Sequence, residues 1–279
     1  MKLTKQLRYK KYILKGELER FVKYIWIMKC HEAHSEKDLL IPDGYPEIIF
    51  LKNGAYKKEL LTEITNPQII KKSCIIGIQS KTVLASRMNQ CFLVGVKLHP
   101  VGVYALFGNQ LKSISASNTH IEDFDNLWLT QLDQKIKKCN DEKLIINLLT
   151  DILSIQLKNK NNERKIKLAT SYLQTILSID YGTSVEKLAQ RHFIGIRQYQ
   201  RNFKTFFGVS PKTFLNIIRF KKLYKTSILQ RKEPRDFLDY GYYDQMHFIK
   251  DFQKKLGTNP SQSLDSQFIQ MNEIARTSL

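Results

Sequence analysis

The hydrophobic pattern of this chain changes period once along its length, and that change forces two different kinds of packing in series. The first third carries short runs rich in β-branched and aromatic residues: Tyr24-Ile25-Trp26-Ile27-Met28, Glu47-Ile48-Ile49-Phe50-Leu51, Cys74-Ile75-Ile76-Gly77-Ile78 and Cys91-Phe92-Leu93-Val94-Gly95-Val96. Turn residues punctuate them at Pro42-Asp43-Gly44, Asn53-Gly54, Asn66-Pro67 and His99-Pro100. These segments predict a mostly antiparallel β domain to about residue 110, entered through a short helix over Glu17 to Tyr24. From Asp141 to Leu157 the spacing turns helical, with apolar residues at Leu144, Ile145, Leu148, Leu149, Ile152 and Ile155. So wide a stripe has to bury against something, either the β domain or a second subunit. The run Lys158-Asn159-Lys160-Asn161-Asn162 has no apolar residue and is the best candidate for a linker.

Everything from Arg164 to about Phe268 reads as helical, and a pseudo-repeat lies inside it. Tyr199-Gln200-Arg201-Asn202-Phe203 is followed by Gly208 and Pro211; Phe248-Ile249-Lys250-Asp251-Phe252 is followed at the same offsets by Gly257 and Pro260. Tyr199, Phe203 and Phe206 share one helical face, as do Phe248, Phe252 and Leu256. Gly208 and Gly257 stand where a helix ends in a left-handed residue, and Pro211 and Pro260 suit the first turn of the next helix, capped by Ser210 and Asn259. Each of these helices follows a shorter one. In the first unit Thr183 or Ser184 caps a helix with Val185, Leu188 and Ala189 inward, which turns at Phe193-Ile194-Gly195. In the second, Pro234 to Tyr240 is short and helical, Gly241 turns, and Asp244 caps. Between the units, Pro211 to Gln230 predicts a long helix with Phe214, Ile217, Ile218 and Ile228 on its buried side.

The fold class expected is α+β: an N-terminal, mostly antiparallel β domain, a helical connector, and a C-terminal all-α domain with two helix-turn-helix units on a linking helix. The corresponding divisions are 1–115, 116–162, 163–268 and a tail, 269–279. The formal net charge of +19 favours a polyanionic partner, because bound phosphates release counterions. On the outward face of the first long helix of the repeat lie Arg197, Gln200, Arg201 and Lys204, with Gln198 beside them; the second offers Gln245, Met246, Ile249 and Lys250. Such side chains hydrogen-bond base edges and phosphates, and two units on one rigid helix can address successive major-groove windows about 34 Å apart.

At these residues the chain resembles a known family. The stretch from about Lys165 to Leu264 resembles the AraC/XylS-type DNA-binding domain, and Gly241-Tyr242-Tyr243-Asp244-Gln245-Met246-His247-Phe248, continuing through Phe252 to Gly257 and Pro260, is close to that family's signature. The resemblance implies a monomeric two-unit reader with Arg197, Gln200 and Arg201 in one groove and Gln245, Met246, Ile249 and Lys250 at the other. Two departures stand out. Phe193 and Gly195 occupy first-turn positions where the family usually has Gly and then Ser, and Phe237 replaces a small Ala in the short helix of the second unit. In the N-terminal region, Pro42-Asp43-Gly44-Tyr45-Pro46-Glu47-Ile48-Ile49-Phe50 and Gly95-Val96-Lys97-Leu98-His99-Pro100-Val101-Gly102 resemble an uncharacterised β-rich domain found fused to such regulators. That resemblance implies a sensing or dimerising role.

Other chemistries find little support. Cys30, Cys74, Cys91 and Cys139 are scattered without a C-x-x-C pair, as in a reduced cytosolic protein with buried thiols. Cys30, His31 and His34 cluster, but no fourth ligand follows at useful spacing, so no metal or other cofactor is expected. His247 reads as a packed or capping residue. Alkyl-transfer repair proteins that share this type of DNA-binding domain need a cysteine in a Pro-Cys-His-Arg setting, whereas Cys30-His31 is flanked by Lys29 and Glu32. Phosphate-loop, nucleophile-elbow and H-E-x-x-H motifs are absent, so an enzyme is not expected. No signal peptide or spanning apolar run is evident, which places the chain in the cytoplasm with no membrane partner. The function expected is a sequence-specific DNA-binding transcriptional regulator; the alternative is a sequence-tolerant, nucleoid-type binder whose turn departures have blunted readout. The partners expected are double-stranded DNA, a small-molecule effector at the β domain, a second copy through the β domain or connector helix, and RNA polymerase.

Overall fold

Strands that are apolar on both faces need a covering layer on each side, and the chain supplies both. The structure, a computed structural model, describes residues 7–31, 37–63, 66–88, 90–114, 118–158, 162–178, 182–226 and 240–259. A six-stranded sheet runs in the order β1 (Leu7–Tyr12), β2 (Val22–Cys30), β9 (Cys91–Leu98), β4 (Glu47–Asn53), β7 (Cys74–Ile76) and β10 (Thr119–His120). A four-stranded sheet follows the order β3 (Lys37–Leu40), β8 (Val83–Arg87), β5 (Tyr56–Leu60) and β6 (Gln68–Ile70). Every described pairing is antiparallel, and helices follow the strands, so the α+β class is observed.

Alternation sorts the six-stranded sheet into two apolar faces. Ile25, Ile27, Ile48, Phe50, Val94 and Val96 point to the helices, whereas Tyr24, Trp26, Met28, Ile49, Leu51 and Leu93 point to the second sheet and meet Tyr56 and Ile70 there. Gly95 is required on that second face. A Cβ there would lie 1.9 Å from Trp26 Cε2, so the indole occupies the space a side chain would take.

The helical layer begins where the β domain was expected to continue. Strand β9 ends at Leu98, with only the short β10 still to come, and α1 (Pro100–Phe107) starts with Pro100 in its first turn and is buried throughout. It has no polar face to betray its period. The expected lead-in helix over Glu17 to Tyr24 is instead a short 3-10 turn, Gly16–Arg20, after which Val22 enters β2; pairing of these residues with β9 overrides the local helical pattern. Of the run Cys74 to Ile78, only Cys74–Ile76 is strand.

Helix α2 (Leu127–Lys138) lies on β4 and is closed by Lys52, whose Nζ donates to the carbonyls of Ile136, Lys137 and Cys139 at 2.7, 2.9 and 2.5 Å. Those acceptors lie at the end of the helix, where carbonyls run short of helical donors; Ile136 O also accepts from Cys139 N at 3.2 Å. Ser73 Oγ accepts from Leu51 N at 2.9 Å and donates to Asp133 Oδ1 at 2.6 Å, a second tie between α2 and the sheet. In α3 (Glu142–Lys158) the predicted stripe splits: Ile145, Leu149 and Leu153 are buried, while Leu144 and Ile155 are 58% and 53% exposed. Glu142 at its start gathers Lys29 at 2.8 Å and Arg8 and Lys10 at 3.5 Å, and these bonds hold its carboxylate below the usual range, the hydrogen bond from Lys29 foremost.

Helices α4 (Glu163–Ser178), α5 (Val185–Arg191), α6 (Ile196–Phe207), α7 (Pro211–Tyr224) and α8 (Gln245–Leu256) complete the described chain. The core is continuous from the six-stranded sheet through α1 into α4 and α6, where Tyr104 meets Phe206 edge to face at 5.0 Å. A separate cluster lays Phe220, Leu223 and Tyr224 of α7 and Phe248, Phe252 and Leu256 of α8 against Leu39, Ile41 and Leu84 beside the four-stranded sheet. Cys30, Cys74 and Cys91 are buried free thiols as expected, but Cys139 is half-buried.

Gly95→Ala forces the Trp26 ring out of its place, and overpacking of this kind costs about 1–3 kcal/mol. The denaturation midpoint of the full chain should fall accordingly; an unchanged midpoint would show that the ring can move at no cost.

Candidate nucleic-acid interface

The first unit of the repeat folds as its residues suggest, with one strained point. Ser184 caps α5, its hydroxyl accepting from Lys187 N at 3.4 Å. Leu188 and Ala189 are buried and Val185 is half-buried. The helix ends in a Schellman turn: Ile194 N donates to Ala189 O at 3.2 Å and Phe193 N to Gln190 O at 2.9 Å. That turn needs a left-handed residue, and Phe193 supplies it at φ 54°, the one non-glycine with positive φ among the described residues. Its ring is 96% exposed, so no burial compensates the strain. Gly195 caps α6 without a side-chain hydrogen bond, as the sequence departures imply.

Helix α6 is strongly two-sided. Tyr199, Phe203, Phe206 and Phe207 are buried, and Arg197, Gln200, Arg201 and Lys204 are exposed together on the opposite face. Gln198 is half-buried and engaged: Arg201 Nη2 donates to its Oε1, and its Nε2 donates to Asn202 Oδ1 at 2.6 Å. Asn202 Nδ2 in turn donates to the hydroxyl of Tyr172 on α4 at 3.0 Å. This relay leaves Gln198 orienting Arg201 and carries the orientation back into the core. Sequence reasoning missed Asn202 and Tyr172, because the link joins helices 30 residues apart. Tyr172 also stacks on Tyr199 at 4.8 Å and meets His192 at 4.3 Å, and burial lowers the imidazole's pKa, favouring its neutral form.

The linking helix α7 begins as predicted, with Ser210 accepting from Thr213 N at 3.0 Å and Pro211 in the first turn. Phe214 and Ile217 are buried, and Ile218 is half-buried. The expected continuation to Gln230, including Ile228, lies outside the described residues, as do most of the short helix carrying Phe237, the linker residues 159–161, Pro260 and the tail.

In the second unit Asp244 caps α8, its carboxylate accepting from His247 N at 2.6 Å. Phe248, Phe252 and Leu256 face inward, while Gln245, Met246 and Lys250 are exposed. Ile249 is half-buried against the cluster that includes Phe220. His247 Nδ1 accepts from Tyr243 N at 3.4 Å and its ring lies edge-on to Tyr242 at 5.3 Å, the packing and capping role expected. Gly208 and Gly257 adopt left-handed φ of 75° and 69°, closing α6 and α8 alike.

The two outward faces therefore differ: two arginines, a lysine and a glutamine on α6, against one lysine, a glutamine and a methionine on α8. Arginine reads guanine and grips phosphate in the same fork, and methionine offers only apolar contact. Among the described residues no group of three or more His, Cys, Asp or Glu is placed to hold a metal; His34 lies outside them. None of the described helices is long and apolar enough to cross a membrane.

Comparison with known proteins adds the following. Residues 12–121 match the model described as Domain of unknown function (DUF6597). No curated protein matches the chain. Among solved structures, ToxT from Vibrio cholerae is similar at 9% identity and TM-score 0.41, over 93% of this chain and 98% of that one. ToxT from Vibrio cholerae O395 bound to (E)-4-(8-methylnaphthalen-1-yl)but-3-enoic acid is similar at 12% identity and TM-score 0.41, over 93% and 98%. Vicilin from hazelnut, Corylus avellana, matches at 14% identity and TM-score 0.26 over 34% of this chain and 29% of that one. These likenesses are too distant to carry a function across.

Because a left-handed non-glycine residue costs roughly 1–2 kcal/mol, Phe193→Gly should stabilise the chain by about 1 kcal/mol, partly offset by the freer unfolded glycine. Gly195→Ser meets nothing within 4 Å and should add a few tenths of a kcal/mol as a cap. Chemical denaturation of the two variants checks both; a loss of stability in Phe193→Gly would mean that the exposed ring is held by contacts the turn geometry does not show.

Proposed function

We propose that the chain is a sequence-specific DNA-binding transcriptional regulator of the AraC/XylS type, which reads two adjacent major-groove segments with α6 and α8. The observation that carries this is the exposed Arg197, Gln200, Arg201 and Lys204 face of α6, standing behind a tight Schellman turn in a helix-turn-helix arrangement. Its buried positions and its left-handed glycine at the C-terminal end recur in α8. In this reading residues 163–268 bind DNA, 1–115 sense an effector or dimerise, and 116–162 connect them. Arg197, Gln200, Arg201, Gln245 and Met246 reach bases, Lys204 and Lys250 grip phosphate, and Gln198 and Ile249 support them from half-buried positions.

The exposed Leu144 and Ile155 side of α3 is the surface on which a second copy would close the dimer. Control of transcription also requires that RNA polymerase be recruited or blocked at the bound site. No catalytic role is assigned: burial pushes the Cys74 and Cys91 thiols up to about 11, away from the thiolate a nucleophile needs. The strained, uncapped turn at Phe193 and Gly195 favours the second reading, a sequence-tolerant binder.

Selection from random double-stranded DNA by the full chain separates the two. The regulator enriches one bipartite motif; the tolerant binder enriches none. On the enriched site, Arg201→Ala should weaken binding about tenfold or more, and Lys250→Ala should weaken it while lowering the salt dependence by about one ion. Unchanged affinity in both variants would mean that neither helix faces DNA.

A further inference from the structure

The two sheets enclose a space that the core leaves unfilled. It consists of two overlapping lobes of about 100 and 110 Å³ that share Leu40, Glu47, Ile49, Tyr56, Ala85 and Lys97. Its walls are mostly apolar, yet charges from both sheets stand in it. Three acids (Asp38, Asp43, Glu47) face three bases (Lys58, Arg87, Lys97). Interior charges weaken a fold unless each is paired, so a ring of them around an unfilled space points to recognition.

The pairing is incomplete in an informative way. Lys97 meets Asp43 at 2.5 Å and Arg87 meets Asp38 at 2.6 Å. Glu47, from the six-stranded sheet, accepts a hydrogen bond from Trp26 Nε1 at 2.6 Å. Lys58, from the four-stranded sheet and 8% exposed, makes only a long bond of 3.5 Å to Asn118 Oδ1 among the described residues. Arg87 Nε is buried there without an acceptor. Glu47 and Lys58 act on each other electrostatically but make no ion pair. Burial raises the Glu47 carboxyl although Lys97 beside it acts in the opposite direction, and burial lowers the Lys58 ammonium; neither side chain forms an ion pair among the described residues.

We infer that this cavity binds a small zwitterionic metabolite of the α-amino-acid type, its ammonium on Glu47 and its carboxylate on Lys58, with an apolar side chain along Ile49, Tyr56 and Ile76. Because acids and bases balance in the cavity, a net-neutral guest keeps the balance; a fatty acid or an amine leaves one charge uncompensated. The size also limits the guest. An apolar cavity of 150 Å³ takes benzene, so the two lobes together suit a guest of roughly eight non-hydrogen atoms. The inference rests on reading the β half as the effector-sensing half and names what it senses.

Two residues of the cavity wall also touch the linking helix. Asp43 and Tyr45 line it, Asp43 O accepts from Lys221 Nζ of α7 at 3.4 Å, and that ammonium lies 4.4 Å from the centre of the Tyr45 ring. The wall of the cavity is thus in direct contact with the helix that joins α6 to the second unit.

The test is thermal melting of the full chain, without DNA, with L-leucine, L-methionine and the other protein amino acids at millimolar concentration. At least one apolar amino acid should raise Tm by several degrees, because a ligand far above its Kd stabilises the folded state by linkage. Isopentylamine and 4-methylpentanoate, each with one end of leucine, should not. Glu47→Gln, which keeps an acceptor for Trp26, and Lys58→Met should each abolish the shift while melting near the parent when ligand is absent. Should either variant fail to fold, a saturable change in tryptophan fluorescence of the parent with the amino acid, and none with the one-ended probes, supports the same conclusion. No shift with any amino acid, or an equal shift with a one-ended probe, overturns it. DNA affinity of the same sample is measured separately, so loss of this inference leaves the DNA-binding reading standing, and the reverse.

Discussion

A sheet with two apolar faces has to be covered twice, and most of this architecture follows from that requirement. Helices α1, α2 and α3 cover one side of the six-stranded sheet; the four-stranded sheet covers the other. The covering sheet carries two leucines on its outer side, Leu39 and Leu84, which take up α7 and α8. The candidate reading helices are thus packed onto the β half by two routes, α6 through α1 and α8 through the second sheet. Nothing in such a stack can shift far alone, because close-packed layers transmit displacement instead of absorbing it.

The units that follow are unequal for physical reasons visible at their turns. The first presents a dense cationic face but turns on a left-handed phenylalanine and starts α6 from a glycine. The second has a firm aspartate cap and a sparser face. In the proposed reading, the denser cationic face of α6 supplies most of the affinity, and α8 adds Lys250 together with apolar and amide contact. Strain kept at Phe193, beside an otherwise well-buried helix pair, is a cost that the aromatic packing of Tyr172, Tyr199 and Phe203 can carry.

What could be read from the sequence follows burial. Strands β2, β4, β7 and β9 are legible because both of their faces are apolar, and the repeat in α6 and α8 because phenylalanine, glycine and proline hold fixed offsets. Strands β1, β3 and β5 escape notice: Leu7–Tyr12, Lys37–Leu40 and Tyr56–Leu60 are lysine-rich and gain their structure from a neighbour. Helix α1 escapes for the opposite reason, being buried all round. The shared exposure of Arg197, Gln200, Arg201 and Lys204, and of Gln245, Met246 and Lys250, is legible from helical spacing alone. The relay through Asn202 to Tyr172 and the charges of the inter-sheet cavity were out of reach. Both depend on which residues stand opposite each other, such as Glu47 beside Lys97 across β4 and β9, and register is not written in local periodicity.

The central claim is that α6 and α8 occupy two successive major-groove segments of one DNA site. Methylation protection of guanine N7, which lies in the major groove, tests it most directly. The account predicts two protected windows about one helical turn apart on the same face of the duplex, the first lost in Arg197→Ala with Arg201→Ala and the second kept. A single window, or uniform weak protection along the duplex, would contradict it.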